Sequence, residues 1–328
     1  MRCRTLSSSL PLALLLAVSA PEATGAPKPD KGKPENAPEY AAPPRPSDGR
    51  HMALTVRKLE SGFRPPRPFL IWAIGSSYTN MLGNGDELIR MIRQRFPNAP
   101  EIVYRKQVGN AVPWQYIRGW ARHLVIPDQP DLVLIYTIGR PEDLDSLLTE
   151  IRSGCTADIL VPTIHWRVRG KKNWGATEDA PDQDVSRLRE ICRKHGAEPV
   201  ENRKEWGAYL AENGLAIEDL LKDNVHQSRY GARIINANIA RHIHRADRFA
   251  YEPETRERRI PAADTASGQR TGEWRRTESS LGTAVTTRDS DAALSVTFEG
   301  NRIDLIGIRS TQGGTADIFL DGKPAREV

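Results

Sequence analysis

The fold is decided by residues 69–80, which read Phe-Leu-Ile-Trp-Ala-Ile-Gly-Ser-Ser-Tyr-Thr-Asn. Six consecutive apolar residues that end at a turn of small polar residues are typical of a strand buried on both faces of a parallel sheet. Ser77 lies in this turn, where a tight bend can present its hydroxyl to solvent. Ser76 is the alternative, by adjacency. The stretch therefore predicts a buried first strand followed by an accessible serine.

Short apolar runs alternate with segments of helical period along the rest of this region. Predicted strands cover 69–74, 102–106, 132–137, 158–164 and 198–200, and predicted helices cover 86–96, 113–124, 142–152, 184–194 and 231–244. Such alternation predicts the α/β fold class, with a parallel sheet covered by helices on both faces in a three-layer α/β/α arrangement. Ligands of such sheets bind beyond the carboxyl ends of the strands, so functional residues are expected there.

Residues 223–226 read Asp-Asn-Val-His and offer a carboxylate and an imidazole three positions apart. A serine hydroxyl is nearly inert at neutral pH until an imidazole takes its proton, and a carboxylate fixes the tautomer of that imidazole. Ser77, His226 and Asp223 therefore predict a nucleophile, a general base and an orienting group, which indicates hydrolase chemistry. Alternatively, Asp223 only caps the local turn and leaves a Ser-His dyad.

The segments 75–77 and 223–226 resemble the first and last signature blocks of the SGNH (GDSL-type) esterase superfamily. The first block of that family is a Gly-Asp-Ser turn after the first strand, and Ser76 stands here in place of the aspartate. The last block is Asp-x-x-His before the final helix, as it is here. The resemblance covers roughly residues 65–246 and implies a flavodoxin-like sheet and an acyl-enzyme mechanism that requires no cofactor and no metal.

The resemblance also implies an oxyanion hole made of the nucleophile's own amide, a glycine amide and an asparagine side chain. Ser77 and Gly109 carry over to this chain. The family's Gly-x-Asn-Asp block reads Gly-Arg-Pro-Glu-Asp at residues 139–143, so the asparagine is missing there. Loss of one such donor costs on the order of 10² to 10³ in turnover. Candidates for the third donor are Asn110, Asn80 and Arg140.

His165 and Trp166 follow the predicted fourth strand and are expected at the same end of the sheet. They are candidates for contact with a sugar ring or an acyl group, as is Arg140, and packing in the core or rim is the alternative. His242 and His244 stand among arginines near the end of the last predicted helix, which is typical of a solvated face rather than of a ligand pair.

Cys155 and Cys192 are the cysteines that remain if residues 1–26, which have the layout of a signal peptide, are removed with Cys3. An even pair in an exported protein predicts a possible disulfide, and two separate buried thiols are the alternative. Two cysteines alone do not make a metal site.

Residues 1–26 have the layout of a secretory signal peptide: arginines precede an apolar run at 10–18, and small residues follow. The run is too short for a stable membrane span, so a secreted or periplasmic location is expected. Residues 27–50 are rich in proline and charge, and they predict a disordered tether.

The chain has 328 residues, of which 38% are hydrophobic, enough for one sizeable domain and a smaller module. We place the hydrolase-like domain at 51–246, an arginine-rich linker at 247–270 and a partial β-sandwich, expected to be truncated, at 271–328. Alternating apolar residues at 292–298, 302–307 and 315–322 indicate its strands. The sandwich resembles jelly-roll-like modules of carbohydrate-active enzymes. Although the formal net charge is +5, nothing resembles a nucleic-acid-binding module.

These features together predict an exported serine esterase that removes acetyl or another small acyl group from a carbohydrate or similar polyol. The preference for acylated carbohydrate rests on the resemblance and on the trailing module, which is a candidate for polysaccharide binding. Two alternatives stay open: a catalytically weak or inactive polysaccharide-binding protein, and an O-acyltransferase.

Overall fold

The computed structural model describes residues 32–35, 37–62, 67–109, 116–137, 139–168, 183–264, 268–279, 282–300, 302–308, 310–311 and 313–325. The predicted signal peptide lies outside these residues. The chain divides into two compact units, Met1–Arg258 and Arg259–Val328. No helix in the described part of the chain combines the length and the apolar composition needed to cross a membrane.

The first unit is built on a five-stranded parallel sheet with the order β2-β1-β3-β4-β5. Its strands are Phe69–Gly75 (β1), Ile102–Val108 (β2), Leu132–Tyr136 (β3), Asp158–Pro162 (β4) and Glu198–Val200 (β5). β2 lies on one side of β1, and β3, β4 and β5 follow on the other side. This reversal of strand order creates a topological switch point at the carboxyl end of β1. The predicted α/β class with a flavodoxin-like sheet is confirmed.

Helices cover both faces of this sheet. They are Ala53–Ser61 (α1), Ser77–Met81 (α2), Asp86–Arg95 (α3), Pro141–Gly154 (α4), Gln183–His195 (α5), Asn202–Glu212 (α6) and Arg229–Arg241 (α7), with a π-helix at Tyr116–Val125 and 3-10 turns at Ile217–Leu220 and Pro253–Thr255. The sequence analysis missed α1, α2 and α6. The five residues of α2 are too few to show a helical period.

Alternate residues of β1 serve two separate cores. Phe69, Ile71 and Ala73 pack with α1, α3, α6 and α7, whereas Trp72 and Ile74 pack with α4, α5 and the π-helix. Because both faces are covered, the strand is apolar at almost every position. Each large side chain buried in this way contributes about 1.5–3 kcal/mol. The apolar run that predicted the fold is therefore also what holds the three layers together.

Residues 37–50, predicted to belong to a disordered tether, pack against the rest of the first unit. Arg45 forms a bidentate ion pair with Glu205, with both N–O distances 2.7 Å. Asp48 pairs with Arg241 at 2.9 Å, and both of these side chains are buried. The prediction of disorder is wrong for these residues. It rested on low apolar content, and the segment is held instead by charged groups with specific partners.

The C-terminal end of α7 is also buried, contrary to the predicted solvated face. His242 is 3% exposed, and its Nδ1 lies 2.6 Å from Oε1 of Glu198, the first residue of β5. The neighbouring arginines suggested a solvated face. Arg241 is itself buried, however, and its charge is paired with Asp48.

The first unit continues beyond the predicted boundary at residue 246. Arg256 donates to the carboxylate of Asp158 at 2.7 Å, and the Tyr251 hydroxyl donates to the same oxygen. Asp158 is fully buried at the start of β4. Residues 247–258, predicted as linker, therefore belong to this unit.

Cys155 and Cys192 are free thiols, both buried in the core that α4 and α5 share. The predicted disulfide is therefore wrong, and the alternative of two buried thiols is what the structure contains. Burial raises the pKa of Cys192 to about 12 and also raises the pKa of Cys155. Both thiols stay protonated and act as small apolar residues.

The described residues of the second unit form three two-stranded antiparallel sheets. They pair Gln269–Thr271 (β6) with Ala293–Ser295 (β9), Arg275–Ser279 (β7) with Gly282–Thr286 (β8), and Phe319–Leu320 (β10) with Lys323–Pro324 (β11). Residues 302–308, where a strand was predicted, are described without a strand, and Leu305 is 76% exposed. A β-sandwich over 271–328 stays a prediction.

Candidate active site

Ser77 is the first residue of α2, immediately beyond β1. Ser76 is the N-cap of that helix, and its side chain accepts from the amide of Tyr78 at 3.4 Å. Ser76 is 2% exposed, whereas Ser77 is exposed. Its burial as a cap excludes Ser76 as the nucleophile, whereas Ser77 is accessible to solvent.

The turn that carries Ser77 requires glycine at position 75. A Cβ there would lie 2.1 Å from Oγ1 of Thr79 and 2.3 Å from the carbonyl oxygen of Tyr136. The Thr79 hydroxyl donates to that same carbonyl at 2.6 Å, which ties α2 to the end of β3. Close backbone approach thus fixes the serine to the sheet.

The loop before α7 carries Asp223 and His226. Oδ1 of Asp223 accepts from the amides of Val225 and His226, at 2.7 Å each. The amide of Lys222 donates to the His226 carbonyl at 2.9 Å. These bonds form a local Asx-type turn that sets the direction of both side chains.

The structure brings the three predicted residues together. Nε2 of His226 lies 2.9 Å from Oγ of Ser77, and its Nδ1 lies 2.9 Å from Oδ2 of Asp223. A carboxylate can only accept, so Nδ1 carries the proton and Nε2 is free to accept from the serine hydroxyl. The geometry is that required to deprotonate Ser77.

Asp223 is held as a carboxylate although it is partly buried. Burial alone would raise its pKa, but hydrogen bonds from the amide and imidazole of His226 and the amide of Val225 outweigh this and lower the pKa. The charged form is therefore present throughout the range in which an imidazole acts as a base.

The strand order, the serine directly after β1 and the Asp-x-x-His segment directly before α7 now stand on one scaffold. This arrangement resembles that of the SGNH hydrolases. No protein-family model and no curated protein matches the sequence.

Two solved structures are similar to part of this chain. Axe2, an acetylxylan esterase from Geobacillus stearothermophilus, is 18% identical, covers 59% of this chain and 100% of its own, and has a TM-score of 0.45. A putative GDSL-like lipase from Parabacteroides merdae ATCC 43184 is 14% identical, covers 54% of this chain and 97% of its own, and has a TM-score of 0.44.

His165, a candidate for substrate contact, is fully buried behind the reactive groups. Its Nδ1 lies 2.6 Å from the Tyr136 hydroxyl and its Nε2 lies 3.0 Å from the Val225 carbonyl oxygen. The ring packs against Trp206, with centroids 5.0 Å apart. The predicted contact of His165 with substrate is therefore wrong. Its position after β4 places the residue at the carboxyl end of the sheet but does not determine the direction of its side chain.

Trp166, the neighbouring candidate for substrate contact, packs against α6, as the alternative prediction stated. Its ring lies against Gly207 of α6, where an added Cβ would be 2.5 Å from Cζ2, and the Arg203 guanidinium lies 5.9 Å from the ring centroid.

Arg140, a further predicted substrate contact, is bonded to Asp143 by two nitrogens, at 3.0 and 2.9 Å, at the N-terminal end of α4. Among the hydrogen bonds of the described residues, none joins Arg140 to Ser77 or His226.

The predicted oxyanion donors differ in what the structure allows. The Ser77 amide begins α2 and has no carbonyl partner within the helix. The Gly109 amide donates to the Gly75 carbonyl at 3.0 Å, so it extends the β1–β2 ladder and its predicted role is wrong in this structure. Asn110 lies outside the described residues. Oδ1 of Asn80 accepts from Lys106 at 3.1 Å.

Sequence reasoning missed Tyr78, the residue after the serine. Its ring lies between His226 and His165, with centroid distances of 5.8 and 5.2 Å. Its hydroxyl accepts from buried Arg167 at 2.8 Å, and its carbonyl accepts from Gln227 at 2.9 Å. The only signal was the large aromatic within a turn of small residues.

In the part of the chain that the structure describes, no three histidine, cysteine, aspartate or glutamate side chains converge as metal ligands do. What the site offers chemically is a hydroxyl, an imidazole and a carboxylate in a hydrogen-bonded line.

Proposed function

We propose that this protein is a serine esterase that hydrolyses acetyl or other small acyl esters through an acyl-enzyme on Ser77. The observation that carries the proposal is the continuous line from Ser77 through His226 to Asp223, with both hydrogen bonds at 2.9 Å. Acyl transfer from esters or amides needs these three groups and donors for the oxyanion. The resemblance to the GDSL-type esterases favours an ester.

His226 takes the proton of Ser77 as the hydroxyl oxygen attacks the ester carbonyl carbon. The imidazolium that forms is stabilised by Asp223 and returns its proton to the leaving alcohol oxygen when the C–O bond breaks. A water then occupies the place of the alcohol, loses a proton to His226 and attacks the acyl carbon. Release of the acid regenerates the Ser77 hydroxyl.

Carbohydrate is the proposed carrier of the acyl group. The reactive groups are open to solvent: the side chain of His226 is 31% exposed, that of Asp223 is 51% exposed, and Ser77 is exposed. An acyl group on a large, hydrated carrier can reach such a site. Together with the predicted export of the chain, the resemblance to the GDSL-type esterases supports an extracellular or periplasmic glycan ester.

Purified protein tests the proposal with p-nitrophenyl acetate and with an acetylated polysaccharide from which acetate is measured. Ser77→Ala and His226→Ala are expected to lose at least about 10³-fold in turnover. Ser76→Ala is the matched control, because it removes a cap but leaves the reactive line intact. Equal turnover in Ser77→Ala and the unaltered protein would remove the nucleophile from the proposal.

Two observations favour a second function, that of a catalytically weak or inactive glycan-binding protein. The Gly109 amide is occupied by the sheet, and residues 139–143 lack the family's asparagine. Without these two oxyanion donors, the barrier rises by about 3–4 kcal/mol for each one lost. Acetylated glycan that binds to the unaltered protein without release of acetate would favour this second function.

A further inference from the structure

The loop that carries Asp223 and His226 is joined to the chain segment after β4. The amide of Val168 donates to the Asn224 carbonyl at 3.1 Å. A second connection is made by a side chain, since Nε2 of His165 lies 3.0 Å from the Val225 carbonyl oxygen. Val225 stands between the two reactive residues of the loop, so any displacement of its carbonyl displaces them both.

The hydrogen-bond partners of His165 determine its tautomer. The Val225 carbonyl can only accept, so Nε2 carries the proton, and Nδ1 accepts from the Tyr136 hydroxyl at 2.6 Å. Burial raises the pKa of Tyr136, so this phenol stays a donor. Burial also lowers the pKa of His165 to about 3, so the ring is neutral at any pH at which an esterase is assayed. A neutral ring satisfies both partners at once.

We propose that His165 is a positioning residue, which holds the Asp223–His226 loop at a fixed distance from β3 and so keeps His226 within reach of Ser77. The proposal rests on the esterase function proposed above. Tyr136 ends β3, and its carbonyl also receives the Thr79 hydroxyl from α2. One residue of the sheet thus anchors the helix of the nucleophile directly and the loop of the base through His165.

Substitutions that differ by one methylene group separate this role from simple packing. The amide nitrogen of glutamine in His165→Gln reaches the position of Nε2 and can donate to Val225. Asparagine in His165→Asn reaches only the position of Nδ1, so it can meet Tyr136 but not Val225. His165→Leu removes both bonds, and Tyr136→Phe removes only the outer one.

The test measures kcat and KM for p-nitrophenyl acetate, and hydrogen exchange of a peptide that covers residues 221–227. We expect kcat to fall about 10- to 100-fold in His165→Asn and His165→Leu with KM nearly unchanged, since a misplacement of about 1 Å costs on this order. His165→Gln should stay within about threefold of the unaltered protein. Exchange in the loop should accelerate in the two slow variants.

A folded His165→Asn variant with unaltered kcat, or with unaltered exchange in the loop, overturns the proposal. If the variants at 165 do not fold, as judged by their melting temperatures, Tyr136→Phe replaces them, with a loss of several-fold in kcat as support and no change in kcat or exchange as refutation. An unaltered protein without esterase activity refutes the proposed function instead, and loop exchange then still decides whether His165 anchors the loop.

Discussion

The Asp223→Asn variant distinguishes a Ser-His-Asp triad from a Ser-His dyad. Oδ1 of Asp223 accepts from two backbone amides, and Oδ2 accepts from one imidazole nitrogen. An asparagine has one oxygen for these three donors. The oxygen is expected to face the two amides, which are fixed in the backbone, and its NH₂ group then faces His226.

The consequence is a change of tautomer in His226. An NH₂ group opposite Nδ1 requires that nitrogen to accept, so the proton moves to Nε2, which then faces the Ser77 hydroxyl as a donor and can no longer take its proton. The expected loss is about 10⁴-fold in kcat, or about 5.5 kcal/mol, by analogy with the same substitution in a serine protease. The turn keeps both amide bonds, so the melting temperature should change little.

The assay is hydrolysis of p-nitrophenyl acetate, with thermal unfolding measured on the same samples. Asp219→Asn is the matched control, because its carboxylate also accepts from a nearby amide, that of Ala216, but contacts neither reactive residue. Turnover of Asp223→Asn within tenfold of the unaltered protein would refute the triad and leave Asp223 as a cap of the turn.

Three further predictions follow from the same structure. Gly75→Ala should destabilise the first unit by about 1–3 kcal/mol and abolish turnover, because its methyl group would displace Thr79 or the Tyr136 carbonyl. Denaturant unfolding and hydrolysis of p-nitrophenyl acetate measure the two effects. An unchanged free energy of unfolding and unchanged turnover would contradict the close approach. Removal of residues 1–50 should cost about 3–5 kcal/mol, because Arg241 loses Asp48 and Glu205 loses Arg45, at about 1.5–3 kcal/mol for each charge-assisted contact, while Arg241 and Glu205 keep their 3.3 Å contact with each other. Removal of 1–36 should not have this cost, and equal stabilities of the two truncated proteins by urea unfolding would contradict the prediction. Unfolded His165 takes a proton below about pH 6.5, but the native ring has a pKa of about 3, so the free energy of unfolding should fall by up to about 1.4 kcal/mol for each pH unit by which the pH is lowered between these values. Urea unfolding at pH 6.5 and at pH 5 should show a smaller loss of stability in His165→Gln than in the unaltered protein. Equal losses would refute the neutral buried ring.

The features predicted from the sequence were those that local pattern determines. The apolar run of β1 is buried on both faces, and such a strand is recognisable without knowledge of its neighbours. Ser77 follows that strand, and the Asp-x-x-His spacing places Asp223 and His226 on one turn. Ser77 and His226 could then meet if the first strand and the last helix belonged to one α/β domain.

The features that the sequence did not predict depend on partners distant in the chain. His165 is separated from Tyr136 by 29 residues and from Val225 by 60, and no local pattern states which way its ring points. His242 looked solvated because its burial depends on Glu198, 44 residues away. The Gly109 amide was misassigned because the length of the β1–β2 ladder decides whether it is free.

The hydroxyl and the imidazole of the proposed site are supplied 149 residues apart, one near the beginning of the domain and the other just ahead of its last helix. A growing polypeptide therefore possesses the nucleophile long before it possesses the base. Hydrolytic competence would arise only at the end of folding, which makes turnover a reporter of fully assembled molecules and keeps unfinished chains inert toward esters.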